Sequence, residues 1–345
     1  MVDFYDLITP AELTGYARQS LADRADNQFS LTRWLPHRQV NDLVYRFARG
    51  GGGLIEAASY RAFDAEPGFG RREGISRVQG ELPPLGEQYV LGEYDHLRLR
   101  ANAGPEIRDL LLRDAERISR SIDARLEIAR GDALVNGSVT LSEDGVEATV
   151  DFGRDPSMEV TAAVVWSNHA TSTPLDDIQA WTEAYEDING APPQAVLTSR
   201  MVFRHLLQND QIRAQLYPNA PQMRMTPQDV NAFLEQWGLP PVTTYEARVR
   251  RDGVSTRIIP ENKFLLLPQT GTSGGPTEGE LGATLWGTTA EAQEAGYGIG
   301  QGDHPGMVVA AFRETKTPIR VYTIGSAIGI PIMANPNLAM AATVL

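Results

Sequence analysis

The stretch Gly104–Asp132, GPEIRDLLLRDAERISRSIDARLEIARGD, constrains the fold of this chain more than any other. Ile107, Leu111, Ala115, Ile118, Ile122, Leu126 and Ala129 recur three or four residues apart and draw one apolar stripe down one helical face. Pro105 suits a first turn, where its missing N–H costs nothing, and Glu106 meets the positive end of the helix dipole. On the opposite, charged face Asp109 with Arg113 and Glu116 with Arg120 form i,i+4 pairs in the favourable order. Gly131 is the expected C-cap. At 1.5 Å per residue the rod is roughly 40 Å long, beyond the average globular helix. Such a helix either lies on a sheet or serves as the strut of an extended subunit, and the rest of the chain must decide which.

A chain of 345 residues that is 42% hydrophobic can bury the core of one large or two ordinary domains. No apolar run approaches the roughly 18 residues that a membrane span needs. The opening MVDFYDLITPAEL carries acids and no basic segment, so the chain is expected to stay in the cytoplasm where it is made. The absence of cysteine excludes disulfides, thiolate zinc sites and a cysteine nucleophile. A net charge of −13 opposes wrapping on nucleic acid, whose affinity comes mainly from Lys and Arg on phosphates.

In chain order, Thr9-Pro10-Ala11-Glu12 reads as a capping box opening a helix to about Asp23. Phe29 to Phe47 is mixed and ends in Gly50-Gly51-Gly52-Gly53, a hinge and not a phosphate loop, because no Lys-Ser/Thr follows. Leu54 to Phe63, Arg71 to Leu82 and Gln88 to Leu99 are strand-like, with Pro83-Pro84 turning the chain between the last two. Between Asp64 and Glu87 the large apolar residues are only Phe69, Ile75, Val78, Leu82 and Leu85. A hairpin so poor in hydrophobic residues is marginal alone and is expected either to be disordered or to lie on another subunit.

After the long helix, Ala133 to Phe152 alternates as a hairpin around Glu143-Asp144-Gly145, and Val160 to Trp166 is a short strand. Thr173 caps a helix whose Leu175, Ile178, Trp181, Tyr185 and Ile188 share a face, closed by Gly190. Further helices are expected from Ser199 to Asn209 and from Thr226 to Gly238. Asp252-Gly253 is a hairpin turn between Tyr245 to Arg250 and Ser255 to Ile259. Ala195 to Leu197, Phe264 to Leu267, Met307 to Phe312 and Ile319 to Ile324 are strands. The sum is an α+β fold without an alternating βαβ array.

No catalytic constellation emerges. Gly271-Thr272-Ser273-Gly274-Gly275 matches G-x-S-x-G, but Pro276, Gly279 and Gly282 forbid the helix that a nucleophile elbow needs, so the stretch reads as loop. The alternating Gly296, Gly298, Gly300 and Gly302 have neither dinucleotide spacing nor a following helix. His37, His96, His169, His205 and His304 are isolated in sequence, and a metal site has no support. Catalytic, cofactor and metal residues are therefore expected to be none.

The order of parts, an arm, a long thin hairpin, one long helix, a β-hairpin, an α/β block and a β-rich return, resembles a tailed-phage capsid subunit. Ala133-Leu134-Val135-Asn136-Gly137 with Val150-Asp151-Phe152-Gly153, Leu285-Trp286-Gly287-Thr288-Thr289-Ala290-Glu291-Ala292, and Ile328-Gly329-Ile330-Pro331 with Asn335-Pro336-Asn337 are similar to the lambda-type major capsid protein E family over nearly the whole chain. The resemblance implies the tailed-phage capsid fold, with an N-terminal arm at 1–53, an extended loop at 54–103 and a spine helix at 104–132. The peripheral domain would be 133–165 with 306–345, and the axial domain 166–305. It implies a virion protein, assembled in the host cytoplasm, that self-assembles into hexamers and pentamers of an icosahedral shell enclosing double-stranded DNA without sequence-specific binding.

On the extended loop Arg71, Arg72, Glu73, Val78, Glu81, Leu82 and Leu85 are the implied inter-subunit residues. Ile107, Leu111, Ile118, Ile122 and Leu126 form the core stripe of the spine. Partners would be other copies, a portal, a separate scaffolding chain, since no long removable N-terminal segment is present, and a decoration protein. In one branch of this fold a lysine on the extended loop links covalently to a neighbour; Leu54 to Arg100 contains no lysine, so a non-covalent shell is expected. Two other readings stand beside this one, an encapsulin-like compartment of the same fold and a serine hydrolase using Ser273. Elution as closed shells separates the first two from the third.

Overall fold

The computed structural model describes residues 8–22, 29–49, 76–95, 103–143, 146–219, 223–251, 253–270, 281–303, 305–314 and 316–345. In chain order these carry helix α1 (Pro10–Ala22), strands β1 (His37–Gln39), β2 (Val44–Arg49), β3 (Ser76–Glu81) and β4 (Pro84–Leu91), and helix α2 (Ala103–Asn136). Strands β5 (Ser138–Glu143), β6 (Val146–Asp151) and β7 (Glu159–Thr161) precede helix α3 (Pro174–Asn189) and strand β8 (Ala195–Thr198). Helices α4 (Arg200–Leu206), α5 (Asp210–Leu216) and α6 (Pro227–Gln236) follow, then strands β9 (Val242–Thr244), β10 (Arg248–Arg251), β11 (Val254–Arg257), β12 (Lys263–Leu267) and β13 (Gly282–Trp286). A short helix α7 (Ala290–Gln293) leads to β14 (Val308–Glu314), β15 (Arg320–Met333) and β16 (Met340–Thr343).

The chain divides into two units, the first comprising Met1–Tyr45, Gln79–Arg130 and Ala283–Ile332, the second Arg46–Val78, Gly131–Gly282 and Met333–Leu345. In the first, the sheet runs β1-β13-β15-β14, with β4 also on β15. The Thr9 capping box forms, with the Glu12 N–H donating to Thr9 Oγ1 at 3.2 Å and the Thr9 N–H to Glu12 Oε2 at 3.1 Å. Leu13 and Ala17 of α1, the α2 stripe, and Trp286, Met307, Val309, Ala311, Val321 and Ala327 of the sheet region close one core. Helix meets sheet closely at Gly325, where an added Cβ would stand 2.2 Å from Ile118 Cγ2.

Helix α2 is longer than its sequence pattern. It runs through Gly131, whose missing Cβ admits Ile258, since a Cβ there would lie 2.6 Å from Ile258 Cγ2 and 2.9 Å from its carbonyl oxygen. The cap is instead Gly137, at φ +63°, whose N–H reaches the Ala133 carbonyl at 2.9 Å. Residues 133–136, expected in a strand, are thus the last helical turn. The charged face is also less uniform than the pattern suggests. Glu116 and Arg120 pair as expected, but the Arg113 Nε donates to the Asp109 carbonyl and not to its carboxylate.

The thin hairpin differs from expectation as well. β3 pairs with β2, while β4 leaves to pair antiparallel with β15, from Pro84 opposite Ile328 to Leu91 opposite Val321. The expected pairing of two limbs across Pro83-Pro84 therefore does not form. Alternation along β4 turns Leu85, Tyr89 and Leu91 onto the first core, so this strand has its own sheet to lie on. The strand expected at Leu54 to Phe63 lies outside the described residues.

In the second unit, β12 (KFLLL) is central in a sheet ordered β7-β16-β12-β8-β9, with β5–β6 and β10–β11 as separate hairpins. Trp166, Trp181, Tyr185, Phe203, Phe233 and Phe264 contribute to its core. Of the strand expected from Val160 to Trp166 only Val160 and Thr161 fall in β7; Trp166 is fully buried and its Nε1 donates to Asp177 Oδ2 at 2.8 Å. The Thr173 hydroxyl makes no cap bond, and Gln211 Oε1 takes the Leu175 N–H at 3.1 Å instead. The single helix expected from Ser199 to Asn209 ends at Leu206. Asn209 Oδ1 accepts the N–H groups of Gln211 (3.0 Å) and Ile212 (3.2 Å), and so starts α5 rather than continuing α4. The Thr226–Asp229 capping box opens α6.

β14 and nearly all of β15 belong to the first unit with α2 as far as Arg130, whereas β16 joins β7 and β12 in the second.

Candidate functional site

Of the implied loop residues, Arg71, Arg72 and Glu73 lie outside the described residues. Val78 is in β3, and Glu81, at the end of that strand, is exposed. Leu82 is 5% exposed and Leu85 packs on the first core, so both are already covered by their own chain. Near them Leu43, Val90 and Tyr94 stay open to solvent, Tyr94 at 75%. The stripe residues Ile107, Leu111, Ile118, Ile122 and Leu126 are all buried together against the sheet.

A polar network on α2 went unseen in the sequence. Arg130, fully buried, donates from Nη1 to Glu127 Oε2 at 2.8 Å and to Asp123 Oδ1 at 3.4 Å, and from Nε to Thr284 Oγ1 at 2.9 Å. Glu127 Oε1 accepts the Leu31 N–H at 3.0 Å, and the Thr284 hydroxyl donates to the Leu35 carbonyl at 2.9 Å. Burial pushes the Asp123 carboxyl up, against the opposing pull of Arg130. One helix thus holds the arm and β13 through charge-assisted bonds. Its signal was the i, i+4, i+7 spacing of Asp123, Glu127 and Arg130, which places them on one face.

The histidines are less isolated in space than in sequence. The Trp286 indole N–H, which can only donate, makes a hydrogen bond to His37 Nδ1 at 2.7 Å. Surrounding protein atoms, and secondarily Arg130, lower the His37 pKa to about 4. Its ring borders a cleft of about 260 Å³ shared with Arg18, Phe29, Asp123, Trp286 and Met307. His169 Nε2 and His205 Nδ1 meet at 2.9 Å, a pair hidden by 36 residues of separation. Among the described residues no group of three or more His, Cys, Asp or Glu could hold a metal, and no helix is long and apolar enough to cross a membrane. Ser273 lies outside the described residues.

Among the described residues the arrangement is framework: a long helix bedded on a sheet in the first unit, and helices packed on a five-stranded sheet in the second. Solved phage proteins are similar to this chain in fold. A protein from Escherichia coli CFT073 described as a prophage capsid protein aligns at a TM-score of 0.67 and 14% identity, covering 98% of this chain and 99% of that one. A phage-related protein from Bordetella bronchiseptica RB50 aligns at 0.60 and 14% identity, covering 96% and 95%. The fold is that of a phage capsid subunit. The family model of phage major capsid protein E matches residues 47–344, and the chain belongs to that family. It is a phage major capsid protein, a structural component of the virion. No curated protein sequence matches it.

Proposed function

We propose that this chain builds the head of a tailed phage as hexamers and pentamers of an icosahedral shell around double-stranded DNA, and that it has no catalytic activity. The family match across residues 47–344 carries the reading. In it, α2 is the spine helix, residues 133–165 with 306–345 are the peripheral domain, and residues 166–305 are the axial domain. Residues 1–53 form the arm, and the loop beyond β2 reaches a neighbouring copy. A net charge of −13 suits a container that must release its DNA. Assembly in the host cytoplasm, with a separate scaffolding chain, a portal and a decoration protein, completes the proposal.

The test is assembly of the purified chain, followed by sedimentation and electron microscopy. Closed shells are expected. Deleting Leu54 to Arg72, which spares β2 and β3, should leave a folded subunit by circular dichroism and abolish shells. Normal shells from that deletion would refute the role given to the loop, and esterase activity lost on Ser273→Ala would refute the non-catalytic assignment.

A further inference from the structure

We propose that the β10–β11 hairpin is an arginine-bearing docking surface for the acidic outer face of α3 on a second copy of the chain. This rests on the shell-subunit reading and specifies one of its contacts. The hairpin has the sequence RVRRDGVSTR and register Arg248 opposite Arg257 and Arg250 opposite Ser255. Strand alternation therefore places Arg248, Arg250 and Arg257 on one face, with Val249 and Arg251 on the other. Val249 is buried, and Arg251 reaches Glu143 at 2.7 Å. Arg257 is held by Glu246 at 2.9 Å and Glu261 at 2.8 Å. Arg248 and Arg250 are exposed and have no ion pair among the described residues. Like charges directly opposed on paired strands are unfavourable, so Arg248 beside Arg257 weakens an isolated hairpin.

The complementary surface breaks a local rule of its own. Helix α3, PLDDIQAWTEAYEDIN, contains five carboxylates and no base. Asp177 is engaged by Trp166 at 2.8 Å, which leaves Asp176, Glu183, Glu186 and Asp187 exposed and without an ion pair among the described residues. Asp176, Glu183 and Asp187, at i, i+7 and i+11, share one face. Glu186 and Asp187 stand in the last turn, where the dipole's negative end repels them. Asp176 in the first turn suits the dipole, but Arg248 beside Arg257 and the last-turn Glu186 and Asp187 are locally unfavourable, and the two charge sets are each the counter-charge of the other. Two different patches of one chain that complement each other define a head-to-tail contact, the kind that builds a ring when its rotation closes.

The experiment reverses each side and then both. R248E/R250E and E183R/D187R should each keep the wild-type circular dichroism and cooperative melting, yet lower the yield of sedimenting shells by about tenfold or more. The combined four-residue reversal should restore shells, and raising salt should suppress wild-type assembly. R248Q/R250Q, which keeps the hairpin free of new charge, should give an intermediate loss. Unchanged shell yield from the hairpin variants, or no rescue by the combined reversal, overturns the contact. Normal empty shells that retain less DNA overturn it in favour of a phosphate-facing hairpin. A wild type that forms no shells overturns the subunit reading, whereas the loss of shells on charge reversal alone cannot.

Discussion

The hydroxyl of Thr14 faces Val309 twice: it donates to the Val309 carbonyl and accepts the Val309 N–H, each at 3.0 Å. Strand β14 ends its sheet, and its outer edge would otherwise offer unpaired backbone groups to any passing strand. Helix α1 covers that edge, and Arg18 extends the cover by donating from Nε to the Met307 carbonyl at 2.8 Å.

Thr14→Val keeps the shape but strands both Val309 groups in a site where Thr14 is only 3% exposed. The loss should be about 1–3 kcal/mol for each group left without a partner. Thr14→Ser, which retains the hydroxyl, should lose much less. Thermal melting of the two variants decides the point, and equal melting temperatures would remove the edge-covering role.

Ile118 is fully buried on the stripe, whereas the Arg120 side chain is 41% exposed and pairs with Glu116. Ile118→Asp places a charge in the core and should cost several kcal/mol, leaving aggregated or degraded subunits. Arg120→Ala should cost no more than about 0.5 kcal/mol, as surface pairs do. Soluble yield that falls equally for both would contradict the burial.

The shell should be held without covalent links. Of the two lysines in the chain, Lys263 donates to Thr343 Oγ1 at 2.9 Å inside the second unit's sheet, and Lys316 follows β14. Neither is on the extended loop, and arginine is a poor nucleophile because it stays protonated. Boiled in SDS, particles should return one band at or slightly below 37.8 kDa. A ladder resistant to boiling and reductant would show cross-linking.

His37 should stay neutral far below the ordinary histidine range. Its pKa is lowered from 6.5 to about 4, first because burial disfavours the charged ring and second because Arg130 repels the added proton. Between those two values the unfolded chain binds a proton that the folded chain refuses, so this contribution is complete above pH 6.5 and lost as pH falls toward 4. Magnetic resonance titration of the His37 ring should show a midpoint near 4. A midpoint near 6.5 would mean the ring is solvated.

Local signals carried much of this fold. The Thr9 capping box, the helix start at Thr226, the α2 stripe and the core-facing residues of α3 were legible because each depends on residues three or four apart. What sequence reading missed depends on residues far apart. Gly131 reads as a helix end until Ile258 is seen against it, and β4 reads as half of a hairpin until β15 is seen beside it. The two-unit division follows from β15 and β16 choosing different partners, which no nearby residue announces. At the candidate site, the Arg130 network needed Thr284 and Leu31, and the His169–His205 pair needed the turn made by α4.

The close approach at Gly325 reaches beyond the two residues that make it. Helix α2 sits on its sheet at a distance set by the absence of one carbon, because any side chain at 325 would push against Ile118. Every copy of the subunit repeats that spacing, so the depth of its first core traces back to a hydrogen atom where other residues carry a methyl.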